Sequence, residues 1–101
     1  MPVATPGNFT LTEEQVQRIA KALADARRYE LLKKLSGRET AIPCSEMLAG
    51  AGISPATLSH HMRELEVAGL VRAVKDGKFV RYSLQQPVLR AYLDRLKADL
   101  A

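Results

Sequence analysis

The sequence predicts a mainly α-helical domain that carries one β-hairpin and ends in a helix. Apolar residues recur at helical spacing through most of the chain, and the period changes to an alternating one only over residues 71–84. The length of 101 residues suits one small domain, and a hydrophobic content of 47% is ordinary for a globular chain. We therefore expect a single domain over residues 11–101. Residues 1–10 hold two prolines and a glycine without periodicity, which predicts a flexible N-terminal arm.

The first helix has a clear start in the sequence. Thr12 is a candidate N-cap, and Gln15 stands three residues later, as in a capping box. Leu11 and Val16 are placed to form a hydrophobic staple around this cap. The helical spacing of apolar residues then continues to about Ala24.

A leucine-rich second helix ends at Ser36-Gly37. After it, Ser45 is a candidate cap for a short helix, which Gly50 and Gly52 end. Ser54 then caps a further helix with proline in its first turn, where a missing N–H costs nothing. A short helix, a glycine-containing turn and a capped helix are typical of a helix-turn-helix motif.

The two histidines lie side by side on this capped helix but point in different directions. Leu58, Met62 and Leu65 define its buried side. Advancing about 100° per residue puts His60 near 200° from Leu58, facing outward, and His61 near −60°, at the edge of the core. Two ligands for one metal on a helix favour i,i+4 spacing, so this adjacent pair does not predict a metal site.

Residues 71–84 predict two strands joined at Asp76-Gly77. With those two residues as the turn, Arg72 would stand opposite Arg81, a repulsive pair that a bound phosphate would stabilise. The alternative is that the two long side chains diverge in water at little cost. The apolar residues of the hairpin would share the other face and pack on the helices; they are Val71, Ala73, Val80, Tyr82 and Leu84.

Net charge and its placement favour a polyanionic partner. The formal net charge is +4, and the basic hairpin follows directly after the helix-turn-helix. In such an arrangement the capped helix enters the DNA major groove, and the hairpin, or wing, lies along the adjacent backbone or minor groove. Gln86-Pro87 opens a last amphipathic helix.

Three stretches carry a resemblance to the ArsR/SmtB family of winged helix-turn-helix repressors. They are ALADARRYELLKKL, SPATLSHHMRELEVAGLV and KDGKFVRYSL. The resemblance runs from Ala24 to Leu84, and the first stretch as quoted begins two residues earlier. The resemblance implies a homodimer formed through the first and last helices, which binds a palindromic DNA operator with half-sites ~34 Å apart. The implied interface residues are Val16, Ile19, Leu23, Leu89, Tyr92, Leu93 and Leu96.

The resemblance also implies which side chains contact DNA. The base-reading candidates, by position on the recognition helix, are Ser54, Ala56, Thr57, Ser59, His60 and Arg63. The candidates for holding phosphates on the wing are Arg72, Lys75, Lys78 and Arg81. His61 matches the recurrent histidine of the family's S-x-H motif and is expected to orient the helix.

The chain departs from the family at the metal-sensing positions. Many members bind metal through a C-x-C in the third helix, but here Pro43 and Ser45 occupy those two positions, with Cys44 between them. Other members use residues of the last helix that include histidine, and no histidine follows His61. We therefore expect neither of the familiar metal sites and no cofactor; the inducer, if there is one, is unknown.

Two alternatives remain open at this stage. Cys44 could sense oxidants or arsenic, although a reversible redox pair usually needs a second cysteine and this chain has one. The domain could instead be a protein-interaction module, against which the polar outward residues and basic wing argue. The sequence shows no catalytic triad, paired carboxylates or cofactor-binding loop, so it does not predict an enzyme. The lack of a secretory signal and of a long apolar run predicts a cytoplasmic location and no membrane partner.

Overall fold

The computed structural model describes residues 10–101 and shows five helices and a small antiparallel sheet. Residues 1–9 of the expected flexible arm lie outside the described residues. The elements follow the predicted order, with one added strand before the third helix. They are α1 (Glu13–Leu23), α2 (Ala26–Leu35), β1 (Ile42–Pro43), α3 (Cys44–Leu48), α4 (Pro55–Val67), β2 (Val71–Asp76), β3 (Phe79–Leu84) and α5 (Gln86–Leu100).

Side-chain caps fix where the first two helices begin. The predicted capping box is confirmed, because Thr12 Oγ1 accepts from the Gln15 amide at 3.1 Å and Gln15 Oε1 accepts from the Thr12 amide at 2.8 Å. Asp25 begins α2 two residues after α1 ends. Its carboxylate accepts the amides of Arg27 and Arg28, which would otherwise lack partners at a helix start.

The predicted cap of the third helix is wrong. Helix α3 begins at Cys44 rather than after Ser45, with Pro43 at the N-cap and no side-chain hydrogen bond there. Pro43 also belongs to β1, which pairs with β3, so sheet pairing fixes the start of this helix. Its far end is held by Lys34 of α2, whose ammonium donates to the carbonyls of Met47 at 3.0 Å and of Ala49 at 2.8 Å.

The hairpin forms, but its predicted register is wrong. Asp76 pairs with Phe79, so the two turn residues are Gly77 and Lys78 rather than Asp76 and Gly77. Gly77 has φ +65°, whereas no non-glycine residue of the described chain has positive φ. A single positive φ at the first turn position matches a type II′ turn, which favours glycine there. Arg72 consequently faces Ser83, and the predicted direct Arg72–Arg81 pair does not exist.

The core lies where α1, α2 and α4 pack together against the sheet and α5. Leu58, Met62 and Leu65 of α4 are at most 1% exposed, which confirms the predicted buried stripe. The other fully buried large side chains come from the first helix, the first strand, the third helix and the residue before β2. They are Ile19, Ile42, Met47 and Leu70.

Candidate nucleic-acid interface

Helix α4 is held at both ends by contacts that its sequence predicts. At its start, Ser54 Oγ accepts from the Thr57 amide at 3.1 Å, and Pro55 occupies the first turn. At its end, the Gly69 amide donates to the Glu66 carbonyl at 2.9 Å and the Leu70 amide to the Leu65 carbonyl at 3.0 Å. These two bonds form a Schellman motif, with Gly69 in the left-handed region at φ +84°. The helix is therefore a rigid support for the side chains that it carries.

The outer side of α4 exposes mostly polar side chains. His60 is exposed, whereas His61 is buried and only 9% exposed, as helical geometry predicts. The Ser54 hydroxyl also donates to Thr57 Oγ1 at 3.0 Å, and both residues are exposed. All six base-reading candidates are exposed: Ser54, Ala56, Thr57, Ser59, His60 and Arg63.

His61 is oriented by an arginine of the second helix. The Arg28 guanidinium lies 3.5 Å from His61 Nδ1, and its Nε donates to the Ala22 carbonyl at 2.9 Å. The ring centroids of His60 and His61 are 5.8 Å apart with planes tilted by 53°, so the two rings diverge. Within residues 10–101, no group of three or more His, Cys, Asp or Glu side chains could hold a metal ion.

The wing has two chemically different faces. The observed register leaves the predicted face assignments unchanged, because both pairings put the same residues on the same side. The inward face holds buried Tyr82, and this burial raises the pKa of its hydroxyl above the ordinary value. Lys75 shares that face nearer the tip, opposite Val80. Arg72 and Arg81 lie on the outward face, and Lys78 lies in the turn; all four cations are exposed.

Three residues that the sequence reasoning did not assign stand out. Phe79 is 68% exposed on the outward face of the wing, and Tyr29 of α2 is 52% exposed. Tyr29 borders an apolar groove of about 290 Å³ between α2 and α5, which Leu89 and Leu93 also line. Arg28 is the third. Strand alternation could have placed Phe79 outward, whereas nothing in the linear sequence connects Arg28 with His61.

The predicted interface residues divide into two groups. Ile19 is 0% exposed and Tyr92 is 8% exposed within one chain, so both side chains pack mainly in the protomer's own core. Leu93 is 53% exposed. The other four are half-buried on the surface of α1 and α5: Val16, Leu23, Leu89 and Leu96.

Comparison with known proteins decides the family. A family described as a helix-turn-helix domain matches residues 23–74, which include α2, α3, α4 and most of β2. The arsenical resistance operon repressor of Staphylococcus aureus is 33% identical over 86 residues, covering 85% of this chain and 81% of that protein. The chain belongs to the ArsR family of winged helix-turn-helix transcriptional regulators. The family relatives are transcriptional regulators and not enzymes.

Two further similarities bear on its role. A probable mercury resistance operon repressor of Streptomyces lividans is 42% identical over 71 residues, which cover 69% of this chain and 54% of that protein. The chain thus spans about half the length of this relative. A solved structure from Mycobacterium bovis, the homodimeric winged helix-turn-helix DNA-binding domain of a possible ArsR-family regulator, is 30% identical. It superposes with a TM-score of 0.67, and the match covers 85% of this chain and 80% of the M. bovis chain.

Cys44 is half-buried and is the first residue of α3. It forms no disulfide, and Pro43 and Ser45 beside it offer no thiolate. No helix in residues 10–101 is both long and apolar enough to cross a membrane.

Proposed function

We propose that this ArsR-family protein is a homodimeric repressor that binds a palindromic DNA operator, with one recognition helix α4 in each half-site. The observation that carries the proposal is the two-sided character of α4. On its inner side, Leu58, Met62 and Leu65 are at most 1% exposed. Its outer side exposes hydroxyl, imidazole and guanidinium groups. These groups are the kinds that hydrogen-bond to base edges in the major groove.

The outer side chains of α4 have distinct roles in this proposal. Arg63 offers a guanidinium that suits the two acceptors of guanine, and His60 offers a ring nitrogen on the same side of the helix. Ser54, Ala56, Thr57 and Ser59 lie toward the helix start, the end that approaches base edges in helix-turn-helix proteins. The exposed cations of the wing, Arg72, Lys75, Lys78 and Arg81, hold phosphates beside the contacted base pairs.

A homodimer would use the apolar surface of α1 and α5. Leu93 is half-exposed, and the groove beside it is lined by Leu23, Leu89 and Tyr29, which leaves a contiguous apolar surface for a second copy. Arg95 links α5 to the start of α1, because it donates to the Leu11 carbonyl at 3.0 Å and pairs with Glu13 beside it. The homodimeric M. bovis domain supports this arrangement.

We further propose that this repressor lacks the family's two familiar metal sites, and we assign it no inducer. Pro43 and Ser45 stand at the two positions where the family resemblance expects cysteine ligands, and neither offers a thiolate. The relatives named for mercury and arsenic therefore support the repressor class and not the inducer.

Selection of bound duplexes from random DNA tests the proposal. We expect an inverted repeat whose half-site centres lie about one helical turn, ~34 Å, apart, bound by two chains. In a shift assay at moderate salt, the selected duplex should compete at least ~1,000-fold better than random DNA. Enrichment of no sequence, or equal competition by random DNA, would contradict the proposal. Isolation of one chain per duplex would contradict its dimeric part.

A further inference from the structure

Phe79 is the most exposed aromatic side chain in the described chain, and it lies at the tip of the basic wing. It is the first residue of β3, directly after the Gly77–Lys78 turn, and is 68% exposed. Its cross-strand partner is Asp76, and Val74, 40% exposed, lies diagonally from it on the same face. The tip of the wing therefore carries an apolar patch that the protomer leaves uncovered.

Cations flank this patch on both sides. Arg81 lies two residues from Phe79 on the same strand and face, and Lys78 precedes it in the turn. The carboxylate of Asp76, opposite Phe79, disfavours a phosphate at the ring itself. Phosphates are therefore favoured beside Phe79, near Lys78 and Arg81, while the ring lies between them.

The spacing fits the minor groove of DNA. Two residues along a strand span ~7 Å, and the minor groove is ~6 Å wide. With the Phe79 ring between the groove walls, Arg81 would come to lie over one phosphate backbone. Proteins that bind the minor groove commonly combine cationic side chains with an apolar side chain of this kind.

We propose that Phe79 is a minor-groove contact that makes the wing prefer A·T over G·C pairs. This inference rests on the proposed DNA-binding function and adds sequence preference to a wing that would otherwise hold phosphates only. Its physical basis is the guanine N2 amino group, the one hydrogen-bond donor on the minor-groove floor. A phenyl ring covering that donor removes it from water and gives it no acceptor, which is unfavourable.

Inosine substitution isolates this contact, because inosine lacks the N2 amino group and leaves the major-groove edge of guanine unchanged. Starting from the selected operator, each base pair outside the recognition-helix contacts is made G·C or inosine·C in turn. We expect the parent protein to bind the inosine duplex about tenfold more tightly at the pair that Phe79 covers. Phe79→Ala should bind the two duplexes equally.

Lys78→Gln is the matched control, since it alters the adjacent residue and removes a cation instead of the ring. It should keep the inosine preference while lowering the salt dependence of binding. Because Phe79 is exposed, Phe79→Ala should unfold at the parent's temperature.

Different results would overturn the proposed DNA-binding function and the proposed Phe79 contact. A parent that selects no sequence would overturn the proposed function and the Phe79 contact together. A parent that selects an operator but shows no inosine preference at any flanking pair would overturn the Phe79 contact alone. A preference that Phe79→Ala retains would also overturn it.

Discussion

The guanidinium of Arg28 lies 3.5 Å from Nδ1 of His61, and this contact links the second helix to the recognition helix. Arginine only donates hydrogen bonds, so this contact is a hydrogen bond only when Nδ1 of His61 presents a lone pair. The same guanidinium donates to the carbonyl of Ala22 at 2.9 Å and that of Lys21 at 3.4 Å. One side chain thus connects the end of α1, the start of α2 and the buried side of α4.

Removing the Arg28 side chain should destabilise the protein through α1 more than through His61. The bond to Ala22 is short, whereas a 3.5 Å contact is at the limit of a hydrogen bond. We expect Arg28→Ala to lower the free energy of unfolding by ~1–3 kcal/mol in urea denaturation. The coupling energy with His61→Ala in a double-mutant cycle should stay at or below ~1 kcal/mol.

Arg18→Ala is the control for Arg28, because Arg18 forms an exposed i,i+4 pair with Glu14 on α1. It should change the unfolding free energy very little. A coupling between Arg28 and His61 well above that range would show that their mutual contact dominates.

Arg63→Ala should weaken binding to the selected operator by ~1–3 kcal/mol, provided that its guanidinium reaches a base edge. Random DNA should be bound almost as before, since a base-edge contact adds nothing there. Titration of both duplexes by fluorescence anisotropy makes this comparison, again with Arg18→Ala as the charge-matched control. Equal losses on the two duplexes would make Arg63 a phosphate contact.

The two faces of the wing give a prediction about salt. Arg81 lies on the outward face and Lys75 on the inward face; both are exposed and carry the same charge. We expect Arg81→Gln to lower the slope of log affinity against log salt by ~0.9 for each phosphate that the wing no longer neutralises, and Lys75→Gln to lower it less. Equal changes would mean that phosphates approach both faces of the wing.

The wing shows how far the sequence predicts a hairpin. Alternation correctly separated inward Tyr82 from outward Arg72 and Arg81. The observed partner of each residue lies two positions from the predicted one, and a shift of two residues keeps every side chain on the same face. The turn was misplaced because Asp-Gly and Gly-Lys are both acceptable two-residue turns. The choice depends on which pairing best joins β3 to β1 and to the core. Strand β1 has two residues, too few to show any alternation.

The apolar stripe of α1 shows a second limit. Its spacing correctly predicts an amphipathic helix, and the capping box correctly predicts where it begins. Spacing identifies an apolar face but not what covers it: Ile19, expected at the dimer interface, is 0% exposed within its own chain. Similarly, helical geometry predicts that His61 faces inward, but its contact with Arg28 joins residues 33 positions apart.

Acid should destabilise the protein through two carboxylates whose pKa values are lowered in the folded state. The Arg28 amide lowers the pKa of Asp25 by its hydrogen bond, and the Arg38 guanidinium, 2.7 Å from Glu46, lowers the pKa of Glu46. Each group therefore adds stability above its unfolded pKa, near pH 4, and this contribution is lost as the pH falls through the lower folded value. We expect the urea midpoint to fall below about pH 4.

Asp25→Asn combined with Glu46→Gln tests that acid dependence. Asparagine caps a helix about as well as aspartate but does not titrate in this range. The variant should show a shallower fall of the urea midpoint with decreasing pH than the parent. An unchanged slope would place the acid sensitivity in other groups.

Leu93 and Ile19 separate dimer formation from folding. Leu93 is 53% exposed on α5, so Leu93→Glu should weaken self-association and leave the protomer folded. Ile19 is 0% exposed, so Ile19→Ala should lower the unfolding free energy by ~2–5 kcal/mol, because buried apolar packing is removed and a cavity remains. Sedimentation measures association, and urea denaturation at one fixed protein concentration measures stability, because association itself stabilises the folded chain. If Leu93→Glu sediments as the parent does, the second copy binds elsewhere than on the exposed surface of α5.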